Sequence, residues 1–124
     1  YAIFIDGKIL IEKRPSEGLL ANMWQFPMIQ TEKGFSEGDW EKQLKTLYNV
    51  EITKKVEENY FELKHIFSHL TWHIHCHIVE GNAIKEFPKD VHLVSIEEIE
   101  GFPLPVPMQK IVKITNNHIL NTLE

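Results

Sequence analysis

Hydrophobic positions recur along this chain with two periods. From Thr71 to Ile78, Trp72, Ile74, Cys76 and Ile78 alternate with Thr71, His73, His75 and His77. A period of two puts each set on its own face of a β-strand, predicted over Leu70–Val79 and ended by Gly81-Asn82. Tyr1–Ile5 and Lys8–Lys13 are rich in apolar residues and flank Asp6-Gly7. Both residues of an Asp-Gly pair accept positive φ, so a hairpin is predicted there. Arg14–Asn22 reads as a loop, and Met23–Ile29 as a buried strand or extended segment that Pro27 marks as an edge or a break. Val50–Thr53 reads as a short strand, with Asn59–Phe67 and Val91–Val94 as two more.

The second period is helical. Trp40, Leu44, Leu47 and Tyr48 fall at i, i+4, i+7 and i+8, one apolar stripe of an amphipathic helix. Ser36 is placed to cap it, with Asp39 as the reciprocal partner three residues on. Glu41 and Lys45 suit an i,i+4 pair on its polar side, and Asn49 is a plausible stop. Ser95-Ile96-Glu97-Glu98 reads as a capped turn. Met108, Ile111, Val112, Thr115 and Ile119 line one face of a closing helix, with Pro107 in its first turn. The order of elements predicts an α+β fold, a mixed β-sheet packed by helices, as a single domain over residues 1–124.

Composition narrows the function classes. At 124 residues, with 43% hydrophobic and 25% charged content, the chain can bury one core. Its one cysteine, Cys76, leaves neither an internal disulfide framework nor a cysteine-only zinc or iron–sulfur site. No apolar run approaches the roughly 20 residues of a membrane span, and no signal segment opens the chain; a cytoplasmic protein is expected. Tyr1–Ile5 is strand-like from its first residue, so a piece of a longer protein is expected as well. The net charge of −5, from 13 basic and 18 acidic residues, argues against strong DNA binding by this chain alone.

Two constellations could carry chemistry. Phe67-Ser68-His69, in the run His65-Ile66-Phe67-Ser68-His69-Leu70, is a short polar tip between two predicted strands. Such loops hold recognition groups on a rigid scaffold, although a plain polar turn with Phe67 tucked inward fits the same letters. His73, His75 and His77 share a strand face at a known metal-ligand spacing, which makes a metal-binding module the rival reading. A zinc site would need further ligands from His65, His69, His92 or scattered carboxylates, so a solvated strand face is the expectation, with no metal site. A third reading is a protein-interaction domain using the sheet. Trp24, Trp40 and Trp72 could stack on bases but are expected in the core. No Ser–His–Asp or Cys–His triad can be composed, and no catalytic residue is assigned.

The element order, with Gly18-Leu19-Leu20 before Trp24-Gln25-Phe26-Pro27 and then a helix, resembles a Nudix-type fold. Active Nudix hydrolases carry a Gly-x5-Glu-x7-Arg-Glu-U-x-Glu-Glu-x-Gly-U box (U aliphatic) whose glutamates hold divalent metal on a pyrophosphate. Aligned on that box, this chain has Lys42-Gln43-Leu44 at Arg-Glu-U, Thr46-Leu47 at the paired glutamates and Asn49 at the glycine. The hydrolase's metal ligands are therefore missing.

Together with the tip and the run Leu104-Pro105-Val106-Pro107-Met108-Gln109-Lys110, these segments resemble the C-terminal domain of bacterial MutY-type adenine DNA glycosylases, over about Ile3 to His118. The resemblance implies recognition of 8-oxoguanine opposite adenine in duplex DNA, with Phe67, Ser68 and His69 as the lesion-reading residues and His65 as a possible addition. It implies base excision repair by a longer bacterial enzyme, whose N-terminal catalytic domain with its iron–sulfur cluster lies outside this chain. No cofactor is expected in the chain itself, and no glycosylase activity.

Overall fold

Asp6 and Gly7 take φ of 51° and 80°, the positive values that a tight two-residue hairpin turn requires. They join β1 (Ala2–Ile5) to β2 (Lys8–Lys13), with Phe4 opposite Ile9. The computed structural model describes residues 1–30 and 37–123, without the side chains at 37–38, 56–57 and 118–123. Four further strands follow: β3 (Trp24–Gln25), β4 (Val50–Phe67), β5 (Leu70–Ala83) and β6 (Val91–Val94). They form one sheet in the order β3-β2-β1-β5-β4, with β6 also on β2. β1 runs parallel to β5 and the other pairs are antiparallel, so the sheet is mixed.

Successive residues of β1 and β2 are buried on opposite faces, which is why these strands read as near-continuous apolar runs. Ala2, Ile9 and Ile11 join Cys76, Ile78, Ile99, Met108 and Ile111 under α2 (Val106–Leu123). Ile3, Ile5 and Leu10 join Val50, Val79, Leu44 and Tyr48 under α1 (Glu37–Tyr48). The result is an α+β domain with a helix on each face of the central strands.

Four features of the chain's patterning resolve differently in three dimensions. Val50–Thr53 and Asn59–Phe67 are one strand, β4. The charged run around Lys54-Lys55 interrupts the hydrophobic alternation, yet Lys54 and Lys55 still pair with Glu80 and Val79. Register shifts between Ile52 and Lys54, and between Lys55 and Tyr60, absorb the extra residues. Gly81-Asn82 does not end β5: Gly81 pairs with Ile52 and Asn82 with Glu51. A Cβ at Gly81 would lie 2.6 Å from the Glu51 carbonyl oxygen, so glycine is what lets β4 approach there. On α1, Leu44 and Tyr48 are buried but Leu47 is 52% exposed, one residue round the helix from the buried line. Lys45 sits 3.8 Å from Glu51 at the start of β4 rather than pairing with Glu41. Fourth, within Met23–Ile29 only Trp24–Gln25 pairs as a strand.

Other local expectations hold. Asn49 stops α1 with φ 58°, and its side-chain amide donates to the Glu86 carbonyl at 2.7 Å. Ser95 and Glu98 cap one another reciprocally, Glu98 N to Ser95 Oγ at 3.1 Å and Ser95 N to Glu98 Oε1 at 3.2 Å. Pro107 lies in the first turn of α2, and Met108, Ile111, Val112 and Thr115 are all buried. The predicted Ser36 cap and the Ile119 side chain lie outside the described residues. Among those residues no helix is long and apolar enough to cross a membrane.

The close passage at Gly81 yields a test of the sheet. Gly81→Ala forces Cβ onto a backbone oxygen that has no rotamer to escape into, so the variant is expected to lose about 1–3 kcal/mol. Urea denaturation should show a lower midpoint at an unchanged slope. A midpoint equal to that of the unsubstituted chain would show that the strands part without cost.

Candidate functional site

The distal half of the β4–β5 hairpin extends past the central strands. β1 covers only Ile78–Glu80 of β5, so among the described residues Leu70–His77 pair with β4 alone. From Tyr60 opposite His77 to Phe67 opposite Leu70 the register is unbroken. Alternation then sorts the side chains. Phe61, Leu63, His65 and Phe67 share a face with Trp72, Ile74 and Cys76, on the α2 side of the sheet. Tyr60, Glu62, Lys64 and Ile66 share the other with His73, His75 and His77.

Ser68 and His69 form the two-residue turn, both exposed, and neither takes positive φ. The backbone therefore does not demand glycine or asparagine here, and the choice of Ser and His is not imposed by the turn. Phe67 is half-buried. Its ring meets the Trp72 indole edge-on at 5.1 Å and 72°, and His65 at 4.6 Å and 68°. The four predicted tip residues are thus contiguous: Phe67 and His65 form an aromatic base, and Ser68 and His69 project from it.

Arg14, the chain's sole arginine, comes to this same place although its sequence context signals no role. Its guanidinium carbon lies 5.4 Å above the Trp72 ring centroid. Nε donates to the Leu19 carbonyl at 3.1 Å and Nη1 to Gln25 Oε1 at 2.6 Å. Trp24 and Trp72 pack against the core beneath α2, as expected, and Trp24 also meets Phe102 edge-on at 5.0 Å. A cleft of about 740 Å³ opens on the unpaired side of β5, where Phe26, Met28, Ile74, Met108 and Ile111 line it with Trp72. Ser68 and His69 do not line it. Trp72 is the side chain that cleft and tip share.

The histidine strand divides. His73 and His75 are exposed, but His77 is only 7% exposed, which corrects the expectation of a uniformly solvated face. Two tyrosine rings cover it, Tyr1 stacked at 5.1 Å and Tyr60 tilted at 4.9 Å. His75 Nδ1 hydrogen-bonds the Tyr60 hydroxyl at 2.5 Å and lies 3.1 Å from Glu62 Oε1. Among the described residues, no three His, Cys, Asp or Glu side chains converge as metal ligands would. Cys76 is 2% exposed, and burial raises its thiol pKa above the ordinary range.

The half of α1 that would have to carry metal ligands is occupied otherwise. Lys42 to Tyr48 contains no carboxylate. Leu44 and Tyr48 face the core, Thr46 Oγ1 donates back to the Lys42 carbonyl at 3.1 Å, and Leu47 faces outward. The Tyr48 hydroxyl donates to Glu12 Oε1 at 3.0 Å. Burial and that carboxylate together push its pKa well above tyrosine's usual range.

A model of the NUDIX domain matches residues 1–113 of the chain. Three solved structures share the fold. The C-terminal domain of mouse MUTYH, solved in complex with human PCNA, is 17% identical with a TM-score of 0.64, covering 94% of this chain and 83% of that one. The mutator MutT protein of Bacillus halodurans is 14% identical with a TM-score of 0.61, over 90% of this chain and 76% of that one. The ORF135 protein of E. coli is 24% identical with a TM-score of 0.55, over 87% and 79%. At these identities the likeness is one of fold.

The engagement of His75 and the burial of His77 leave the histidine strand ill-suited to a structural metal. Purified without a histidine tag, the chain is expected to carry far less than one equivalent of zinc by elemental analysis. A full equivalent that disappears in a His73→Ala/His75→Ala double variant would contradict this.

Proposed function

The chain belongs to the NUDIX domain family, and from that premise we propose that it is a recognition module rather than a hydrolase: the lesion-reading C-terminal domain of a MutY-type adenine DNA glycosylase. The observation that carries the reading is the polar Ser68-His69 turn raised on the Phe67–Trp72–His65 aromatic base, in a chain whose α1 lacks carboxylates from Lys42 to Tyr48. The structural likeness to the MUTYH C-terminal domain supports it. The MutT structure shares the scaffold, so the choice between the two readings rests on the side chains of α1 and the tip.

The chemistry of the tip suits the oxidised base. Guanine offers two acceptors, N7 and O6, on its Hoogsteen edge. In 8-oxoguanine N7 carries a proton and C8 a carbonyl, so a reader must accept a hydrogen bond from N7–H. A serine hydroxyl can accept from N7–H and can also donate. Against undamaged guanine N7 offers no proton, and the same hydroxyl would have to reverse its role and donate. In this reading Ser68 makes the contact, Phe67 and His69 flank it, and His65 supports Phe67. Duplex DNA bearing 8-oxoguanine opposite adenine is the ligand. A separate N-terminal domain of the same protein, with an iron–sulfur cluster, supplies catalysis. The net charge of −5 requires that domain to supply most of the phosphate affinity as well.

Two measurements test the reading. Incubated with Mg²⁺ and nucleoside triphosphates, ordinary or 8-oxo, the chain is expected to show no pyrophosphohydrolase turnover, because Thr46 and Leu47 stand where paired glutamates would hold the metal. EDTA-sensitive turnover would refute the claim that it is no hydrolase. The recognition claim is tested by NMR titration of the chain with a short duplex containing 8-oxoguanine opposite adenine, beside the same duplex with guanine. Shifts at Phe67, Ser68 and His69 are expected to saturate earlier with the lesion. Ser68→Ala should reduce that preference by roughly threefold to tenfold, the range for loss of one hydrogen bond. A folded Phe67/Ser68/His69 triple-alanine variant that keeps the full preference would reduce the tip to a turn.

A further inference from the structure

We infer that Arg14 is the positioning residue of the Phe67-Ser68-His69 tip, acting through Trp72. Its functional meaning rests on the lesion-reading role proposed above, whereas its structural content does not. The tip lies at the far end of the hairpin, where burial on the α2-facing side of β5 declines from Cys76, 2% exposed, to Leu70, 46% exposed. Phe67 is not among the side chains packed against the core cluster, so its ring contacts must orient it. Among the described residues its ring partners are Trp72 and His65. Trp72 is itself only half-buried, with one part packed against the core, and the cation over its face comes from Arg14.

Arg14 is equipped to hold that ring because its own plane is fixed from two directions. Nε donates to the Leu19 carbonyl and Nη1 to Gln25 Oε1. The loop that carries Leu19 is closed at its base by Asn22 N to the Pro15 carbonyl at 3.0 Å and Arg14 N to the Met23 carbonyl at 2.8 Å. Gln25 is 7% exposed, and its Nε2 donates to Glu12 Oε1 at 2.8 Å, the atom that also accepts from Tyr48. A polar chain thus runs from α1 through Tyr48, Glu12, Gln25 and Arg14 to Trp72 and the tip. Both acceptors of Arg14 are neutral, and no carboxylate pairs directly with it among the described residues. Its charge is left to the indole face, 5.4 Å away and within cation–π range. Lysine could not replace it: one ammonium has no rigid planar fork with which to meet both acceptors while keeping its charge over the ring.

The test uses the 124-residue chain and two variants, Arg14→Met and Arg14→Lys. Arg14→Met keeps the length of the stem but removes charge and donors. It is expected to move the Trp72 indole N–H and Phe67 ring resonances while leaving those of Ile9 and Val94 in the core unchanged. It should also weaken the response of Ser68 and His69 to the 8-oxoguanine duplex by about twofold to fivefold, as befits one partly exposed cation–π contact. Arg14→Lys is expected to resemble Arg14→Met, and it carries the test alone if Arg14→Met does not fold. Either folded variant retaining the original ring resonances and lesion response would overturn the proposal. If the rings move in the variants but the unsubstituted chain never distinguishes lesion from guanine, the positioning role stands and the lesion reading falls.

Discussion

The register of the β4–β5 ladder is the constraint on which the rest of the site depends. Cys76 and Ile78 fix it at the proximal end by their burial beneath α2, and from Tyr60 to Phe67 it runs without a slip. A shift of one residue would carry Phe67 and His65 to the opposite face from Trp72 and dismantle the aromatic base. The same ladder leaves a long edge, because β4 closes one side of the sheet. Lys54, Lys55 and Lys64 lie along that strand, and lysines on an edge discourage pairing with other chains. Ile66, 67% exposed, is an apolar exception, and it lies next to the tip.

Most of the scaffold was legible because its signals are local. The Asp6-Gly7 turn, the Asn49 stop, the Ser95–Glu98 cap and the period of two in β5 each need only a few neighbouring residues. What escaped was set by partners distant in sequence. Gly81 resembles a terminator until Glu51 is brought against it. The charged middle of β4 resembles a linker until Val79 and Glu80 pair with it. His77 resembles its exposed neighbours at 73 and 75 until Tyr1 and Tyr60 close over it. The tip residues were legible as a group, since a two-residue turn between strands keeps its neighbours together. Arg14 was not, because nothing in the letters around it reports that the loop returns to Gln25 and that Trp72 crosses beneath.

On the proposed reading, the helix α1 is a scaffold that has outlived its chemistry. Leu44 and Tyr48 still seat it on the sheet, and Asn49 still ties its end to the chain after β5. Carboxylates converging on a metal repel one another when the metal is absent. On that reading, Gln43, Thr46 and Leu47 in their place remove that repulsion and leave the packing face untouched. Tyr48 then contributes to a different network, through Glu12 and Gln25. The fold is common to hydrolases and to this chain, so function has to be argued from the side chains that the scaffold presents.

An acidic domain reading a lesion in DNA is consistent once affinity and discrimination are separated. Phosphate contacts supply affinity and register, whereas base-edge contacts supply the choice between similar bases. A hydroxyl that accepts from N7–H contributes roughly 0.5–1.5 kcal/mol, enough to favour one base over another but far too little to hold a duplex. With a net charge of −5 the chain has no surplus of cations for the backbone. Its sole arginine is turned inward onto an indole rather than outward to a phosphate. On the proposed reading that allocation is what the task calls for: a tip held rigidly enough for one hydrogen bond to matter, on a domain whose own pull on DNA is too weak to mask the difference.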